Sequence, residues 1–193
     1  MPDKIILSTV SAWALGDRFS DTVAQKNAAL REAKIAKLDG DLSENAPYQA
    51  AKEKFRTMGR IQRRLTREMN DLIAQGHTLV DPLSWVSSGP AAAVAAVARI
   101  EIGTVVTMNW NGATESFLVA GARDNHLPEE GDLVPIPYNS PLGKVLLGRQ
   151  AGERFTAEIN GRRQEIEVVS VRRPTREEIY RVFPSLQATD SGP

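Results

Sequence analysis

A chain of 193 residues with 24 basic and 24 acidic side chains carries no net charge, which argues against a protein that coats nucleic acid through overall positive potential. It has no cysteine, so disulfide frameworks, thiolate zinc sites and cysteine nucleophiles are excluded together, and two histidines, His77 and His126, argue against an imidazole-rich metal centre. The apolar start at Ile5-Ile6-Leu7 is broken by Ser8, Thr9 and Ser11 and does not make a secretory leader. The Ala-rich run at 91–98 is far short of the ~20 residues that span a bilayer. The expectation is a soluble, cytoplasmic chain.

From Ser20 to about Gln75 the pattern is helical with one break. In the second arm Tyr48, Ala51, Phe55, Met58, Leu65, Met69 and Leu72 recur at alternating steps of three and four, with Gln62 filling the polar position. That is a coiled-coil seam rather than a broad globular face. Gly59 weakens this arm by about 1 kcal/mol relative to Ala. The first arm carries Ala24, Ala28, Ile35 and Leu38 at similar spacing, interrupted by Arg31, with Val23 and Leu30 off that seam; Ser20 or Asp21 is the expected N-cap. Between the arms, Gly40 suits a helix C-terminus, Ser43 an N-cap and Pro47 a first turn. The simplest solution over residues 1–78 is an antiparallel helical hairpin with an acidic tip at 40–47. Its second arm, at ~28 residues and ~1.5 Å each, is about 40 Å long.

Beyond His77 the texture changes. Residues 79–99 read as a linker with an Ala-rich insertion. Short alternating or β-branched segments follow at 104–110, 116–119, 133–136, 154–159 and 165–171, and Asn111-Gly112 and Asn160-Gly161 are hairpin turn pairs. Residues 100–173 are therefore expected to form a small, mostly antiparallel β domain with a short helix near 142–147. The tail, 174–193, is expected to start as a helix at Thr175 and then fray. The fold class is α+β.

Two features carry chemistry. Asp41 and Glu44 stand three residues apart at the far end of a stiff rod, and a carboxylate pair suits a hard cation such as Mg²⁺. Two carboxylates make a poor site alone and a reasonable half-site if a metal is already held elsewhere; the plainer alternative is a pair of helix-end charges. On the second arm Lys52, Lys54, Arg56, Arg60, Arg63, Arg64 and Arg67 fall within sixteen residues, a cluster able to follow a phosphate backbone or to serve as a solvated face.

Gly40-Asp41-Leu42-Ser43-Glu44-Asn45-Ala46-Pro47-Tyr48-Gln49 closely resembles the tip motif of the bacterial GreA/GreB transcript-cleavage factors. Ser140-Pro141-Leu142-Gly143-Lys144-Val145-Leu146-Leu147-Gly148 resembles that family's C-terminal signature. The resemblance spans residues 20–172 in order, and the basic second arm looks more like GreB than GreA. It implies a helical hairpin followed by an FKBP-like β domain. It also implies a monomeric partner of bacterial RNA polymerase that enters the secondary channel and is not itself an enzyme. Asp41 and Glu44 would help hold the second catalytic Mg²⁺ of the polymerase, with no cofactor of the chain's own. Leu42, Ser43 and Asn45 would shape the tip; Lys52, Arg56, Arg60, Arg63, Arg64 and Arg67 would meet the extruded RNA 3′ segment. Asn139, Ser140 and Pro141 would dock on the coiled-coil rim of the channel. The chain departs from the family at Pro47, where an acid is usual, and at Asn139, where GreB-type proteins carry Asp. Residues 1–19 match poorly, the linker looks like an insertion, and the tail is an extension. Three other readings share parts of this pattern: a channel-bound regulator that inhibits synthesis, a prolyl isomerase, and a coiled-coil adaptor without chemistry.

Overall fold

A computed structural model describes residues 4–39, 45–86, 96–110, 112–124 and 133–190. The chain divides into two compact units, one formed by Met1–Lys4 and Trp13–His77, the other by Ile5–Ala12 and Thr78–Pro193. Helices precede a β-sheet unit, as the α+β class requires.

The first unit is built from helix α1, Thr9–Ala36, a 3₁₀ turn at Lys37–Asp39, and helix α2, Ala46–Gln75. Lys26 Nζ donates to Gln62 Oε1 at 2.9 Å, and Lys54 pairs with Glu32 at 3.6 Å. These ties align the arms antiparallel. On α2, Ala51 and Leu65 are buried and the other seam positions half-buried, as the spacing predicts.

The seam of α1 differs from the expected one. Leu15, Thr22, Ala29 and Ala36 are buried at seven-residue intervals, and Phe19, Lys26 and Ala33 between them are half-buried. Ala24 is exposed, and Ile35 and Leu38 are 65% and 85% exposed. The helix begins eleven residues before Ser20, so its phase follows from Leu15 and Phe19, which the expected start left out. Ser20 and Asp21 lie inside the helix. The cap is Ser8, whose hydroxyl oxygen accepts from the Ser11 N–H at 3.1 Å.

Small residues on α1 leave room for the larger side chains of α2. At the polar seam position the Lys26 ammonium also lies 5.3 Å from the centre of the Phe55 ring, so its charge is satisfied by an amide oxygen and an aromatic face together. Gly59 is buried, yet a Cβ built on it meets nothing nearer than Arg63 Nη1 at 3.7 Å and Lys26 Cε at 3.9 Å. A methyl group fits there at ordinary contact distance. Gly59→Ala is therefore expected to stabilise the hairpin by about 1 kcal/mol through helix propensity, read as a higher midpoint in urea unfolding of the full chain. A lowered midpoint would show that the arms cannot accept the methyl.

In the second unit, strands β1, Ile5–Ser8, and β2, His77–Val80, pair as a two-stranded sheet. A five-stranded sheet follows, made of β3 (Val105–Trp110), β4 (Ala113–Ala120), β5 (Leu133–Pro137), β6 (Arg154–Ile159) and β7 (Arg162–Arg172), in the order β5-β4-β3-β7-β6. All pairs are antiparallel except β4 with β5. Asn160 and Gly161, φ 52° and 74°, make the two-residue β6–β7 turn, which needs positive φ at both positions. The other turn pair is described only at Gly112, φ 82°. The short helix α3 spans Pro141–Leu146.

Hydrophobic side chains leave the sheet on both faces. Val106, Met108, Val119, Ile166 and Val168 point to one core, closed by Ile100 and by Leu146 of α3. Val105, Leu118 and Ala120 point to another. The segments that close this second core correct two expectations. Pro82–Trp85 is a 3₁₀ turn with Trp85 buried in the core, so the start of the expected linker belongs to the globular unit; residues 87–95 lie outside those described. The tail does not fray after Thr175 but continues as α4, Arg176–Val182, and α5, Pro184–Asp190. Ile179, Val182, Phe183 and Leu186 all enter the core, as does Val10 from the first turn of α1.

Polar contacts complete this arrangement. The buried Asp124 carboxylate accepts from the Ser8 and Ser11 hydroxyls and, at 2.7 Å, from the Gly121 N–H. A capping box joins Thr175 and Glu178, and Arg172 holds Glu178 through two hydrogen bonds. Burial disfavours the ionised Glu178, but the hydrogen bonds from Arg172 and Thr175 outweigh it and lower its pKa below the ordinary carboxylate value.

Candidate functional site

The tip of the hairpin is bounded by two described ends. Residues Gly40, Asp41, Leu42, Ser43 and Glu44, among them both acids, lie outside the described residues. The N-cap of α2 is Asn45 rather than Ser43. Its side-chain oxygen accepts from the Tyr48 N–H at 2.9 Å, with Pro47 in the first turn, where a missing N–H costs nothing. The Asn45 amide nitrogen reaches across to the Ala36 carbonyl at 2.6 Å, satisfying an acceptor in the last turn of α1.

The basic residues of α2 divide by helical phase. Lys52, Arg56, Arg60, Arg63 and Arg67 are spaced by four, four, three and four residues and form one stripe on the side away from the seam. At ~1.5 Å per residue that stripe is about 22 Å long. The four arginines are exposed; Lys52 is half-buried, its ammonium 5.6 Å from the centre of the Tyr48 ring. Two of the guanidinium groups are pre-arranged: Arg60 Nη2 donates to the Thr57 hydroxyl at 3.0 Å, and Arg67 Nε to the Arg63 carbonyl at 3.4 Å. Arg64 is exposed but lies off the stripe, and Lys54 flanks the seam, where Glu32 neutralises it. A linear row of cations suits a linear polyanion, and Glu53, three residues before Arg56, and Asp71, four after Arg67, temper its charge.

Asn139, Ser140 and Pro141 follow one another in the second unit after β5, with Pro141 the first residue of α3. Ser140 is the N-cap of α3: its hydroxyl oxygen accepts from the Gly143 N–H at 3.0 Å, and its own N–H donates to the Pro137 carbonyl at 3.0 Å. Gly143 is required by close approach, since a Cβ there would lie 2.3 Å from the Pro137 carbonyl oxygen and 2.8 Å from the Tyr138 backbone. Leu146 is wholly buried. Much of this motif is thus explained by folding, and the side chains left exposed are those of Asn139, Pro141 and Lys144.

One cavity of the second unit is lined in part by Lys144, Val145, Leu147 and Gly148 of this motif. A cleft of about 880 Å³ is lined by Asn109, Arg154, Phe155, Arg163, Glu165 and Glu167, among others, and includes none of the predicted site residues. The Phe155 ring is covered by the Arg149 guanidinium, 4.0 Å from its centre. Among the described residues no three His, Asp or Glu side chains converge as metal ligands, and no helix is long and apolar enough to cross a membrane.

Comparison with known proteins places both units. Residues 17–73 match the family described as "Transcription elongation factor, N-terminal", and residues 95–173 match "Transcription elongation factor, GreA/GreB, C-term". Transcription elongation factor GreA of Bacillus cereus is 32% identical over 153 residues, covering 78% of this chain and 84% of that one. GreA of Treponema pallidum is 29% identical over 134 residues, covering 68% and 71%. Among solved structures, Gfh1 of Thermus thermophilus is 17% identical, with a TM-score of 0.32, covering 87% of this chain and 98% of that one. The matched ranges leave out Val10, Trp85 and all of α4 and α5, the same segments that close the second core. The chain belongs to the GreA/GreB family of transcription elongation factors.

Proposed function

We propose that this protein stimulates the intrinsic RNA-cleaving activity of bacterial RNA polymerase in backtracked complexes. The observation that carries this reading is the presence of both acids, Asp41 and Glu44, in a ten-residue tip motif that departs from the family only at Pro47, between the arms of a long two-helix rod. A rod of this kind delivers ligands into a site held by another protein. Hydrolysis of a phosphodiester by two metals needs both ions clamped on the attacking and leaving oxygens. Mg²⁺ keeps several waters and takes one or two protein carboxylates, so a donated pair is enough to complete a weakly held second ion. The polymerase is then the nuclease and this chain a monomeric, cytoplasmic activator with no cofactor of its own.

The remaining residues take supporting parts. The tip enters through the secondary channel, with Leu42, Ser43 and Asn45 shaping it. Lys52, Arg56, Arg60, Arg63 and Arg67 line up to meet the extruded RNA 3′ segment, with Arg64 beside them; the density of cations on α2 is the basis for placing the chain nearer GreB than GreA. Asn139, Ser140 and Pro141 dock on the rim coiled coil of the channel. Ser140 contributes through the backbone it caps, and Asn139 and Pro141 through exposed side chains.

The test is RNA cleavage in stalled, backtracked elongation complexes of the cognate polymerase, with Mg²⁺ and increasing amounts of the chain. Release of 3′ fragments and resumed elongation are expected. A chain that binds, slows nucleotide addition and releases no fragment is a channel-blocking regulator, and the proposal fails.

A further inference from the structure

The two edges of the five-stranded sheet differ. On β5 the Tyr138 N–H just beyond the strand bonds inward to the Ala120 carbonyl at 3.0 Å, so the alternate positions Pro135 and Pro137 face outward and have no N–H to offer a further strand. The β6 edge has no proline. Its turn at Asn160-Gly161 makes Ile159 and Arg162 a hydrogen-bonded pair, and bonding to β7 then falls on every second residue back along the strand. The Val168 N–H, which donates to the Glu153 carbonyl at 2.9 Å, has that same phase. The backbone groups of Phe155, Ala157 and Ile159 therefore turn toward β7, and those of Arg154, Thr156 and Glu158 turn outward. Among the described residues no backbone group of another segment meets these outward ones. The Arg154, Thr156 and Glu158 side chains are exposed, and clefts of about 540 and 460 Å³ border the edge, each lined in part by Thr156, Ala157 and Glu158.

We propose that β6 is a self-pairing edge, through which two copies of this chain join antiparallel about a two-fold axis at Thr156. Centred there, every outward N–H and C=O of the three residues finds a partner on the second copy. Arg154 stands opposite Glu158 of the second copy, Glu158 opposite its Arg154, and Thr156 opposite Thr156. Centring on Arg154 or on Glu158 would instead set like charges face to face, which destabilises a strand pair. The alternation of charge continues through the junction. Within one chain Glu167 pairs with Arg154 at 2.7 Å, and Arg163 lies beside Glu158. Each row then runs Glu167, Arg154, and on into Glu158 and Arg163 of the second copy. On the other face Phe155 meets Ala157 of the second copy, a large side chain against a small one, and both already pack on the first core. The contact is short, so association is weak, with a dissociation constant on the order of 0.1 mM. The function proposed above uses one chain at a time; the pair is a form of the free protein and does not depend on that reading.

The experiment is sedimentation velocity of the full chain from about 10 µM to about 1 mM, with amide hydrogen exchange read residue by residue at both ends of that range. The 21.1 kDa monomer is expected to give way to a dimer as concentration rises. At the higher concentration the amides of Arg154, Thr156 and Glu158 are expected to exchange about fivefold more slowly, the factor set by the fraction of chains paired. Those of Phe155 and Ala157 should not change, because β7 already holds them. Glu158→Arg sets two like-charge pairs across the axis and is expected to weaken association about tenfold or more, with the circular dichroism of the fold intact. A chain that stays monomeric throughout the range overturns the proposal. So does a dimer in which those three amides exchange at the monomer rate, since its contact lies on another surface. A dimer that Glu158→Arg leaves equally strong overturns the register, and with it the self-complementarity from which the pairing is inferred.

Discussion

Ending the chain at Arg173 is expected to unfold the second unit. The truncation removes Ile179, Val182, Phe183 and Leu186, each at most 3% exposed, from one face of the sheet. Burying side chains of this size contributes roughly 1.5–3 kcal/mol each, so the loss is about 6–12 kcal/mol, comparable to the whole stability of a typical domain. The truncation also uncovers Trp85, which stacks edge-on against Phe183 at 6.1 Å, and breaks the Arg172–Glu178 pair and its capping box. The ring of Trp85 rests on Gly103, where a Cβ would lie only 2.3 Å from it, so the indole has little freedom to settle elsewhere. Near-ultraviolet circular dichroism and thermal unfolding measure the outcome: loss of the aromatic signal and of a cooperative transition. Phe183→Ala, which keeps the helices, is expected to cost about 3–5 kcal/mol and to lower the midpoint without abolishing it. A truncated chain that melts within a few degrees of the full one would show that α4 and α5 cover the sheet without supporting it.

Which parts of this arrangement were legible beforehand follows from side-chain size. The α2 seam announces itself through Phe55, Met58, Leu65, Met69 and Leu72, large apolar residues at steps of three and four. The α1 seam runs instead through Thr22, Lys26, Ala29, Ala33 and Ala36, small or polar residues that hydrophobicity ranks below the exposed Ile35 and Leu38. Only the packing partner, with its larger side chains, decides that the small face turns inward. The β6–β7 turn was readable because Asn160-Gly161 is one of few pairs that accept positive φ twice. The N-cap of α2 was legible too, through Pro47: with Ser43 as cap it would be the fourth helical residue, whose N–H bonds the cap carbonyl, whereas with Asn45 as cap it is the second, where no N–H is needed. The tail held a signal in the spacing of Ile179, Val182, Phe183 and Leu186, but two seven-residue helices are too short to register as periodic. Asp124 gave no signal at all. Its buried carboxylate is satisfied by Ser8 and Ser11, more than a hundred residues away. Of the candidate site residues, the 139–141 segment and the basic arm have positions that follow from capping and helix phase.

Replacing both tip acids by their amides is expected to abolish stimulated cleavage while leaving binding intact. Asp41→Asn with Glu44→Gln changes neither length nor shape, so a docked tip still fits, but two anionic ligands are removed from a divalent cation. Metal charge stabilisation in phosphoryl hydrolysis amounts to several kcal/mol, and a loss of about 3 kcal/mol is on the order of 100-fold in rate. Each single substitution is expected to fall between wild type and the double variant, because Mg²⁺ accepts one or two protein carboxylates and the remaining acid still supplies one. The double variant should also compete with wild type for the polymerase. Mixing the two at equal concentration is then expected to halve the stimulated rate, which separates a lost ligand from a lost interaction. Acids that served only as helix-end charges would behave otherwise. Their removal would cost a few tenths of a kcal/mol of helix stability, screened by salt, and would leave both the cleavage rate and its Mg²⁺ dependence where they were.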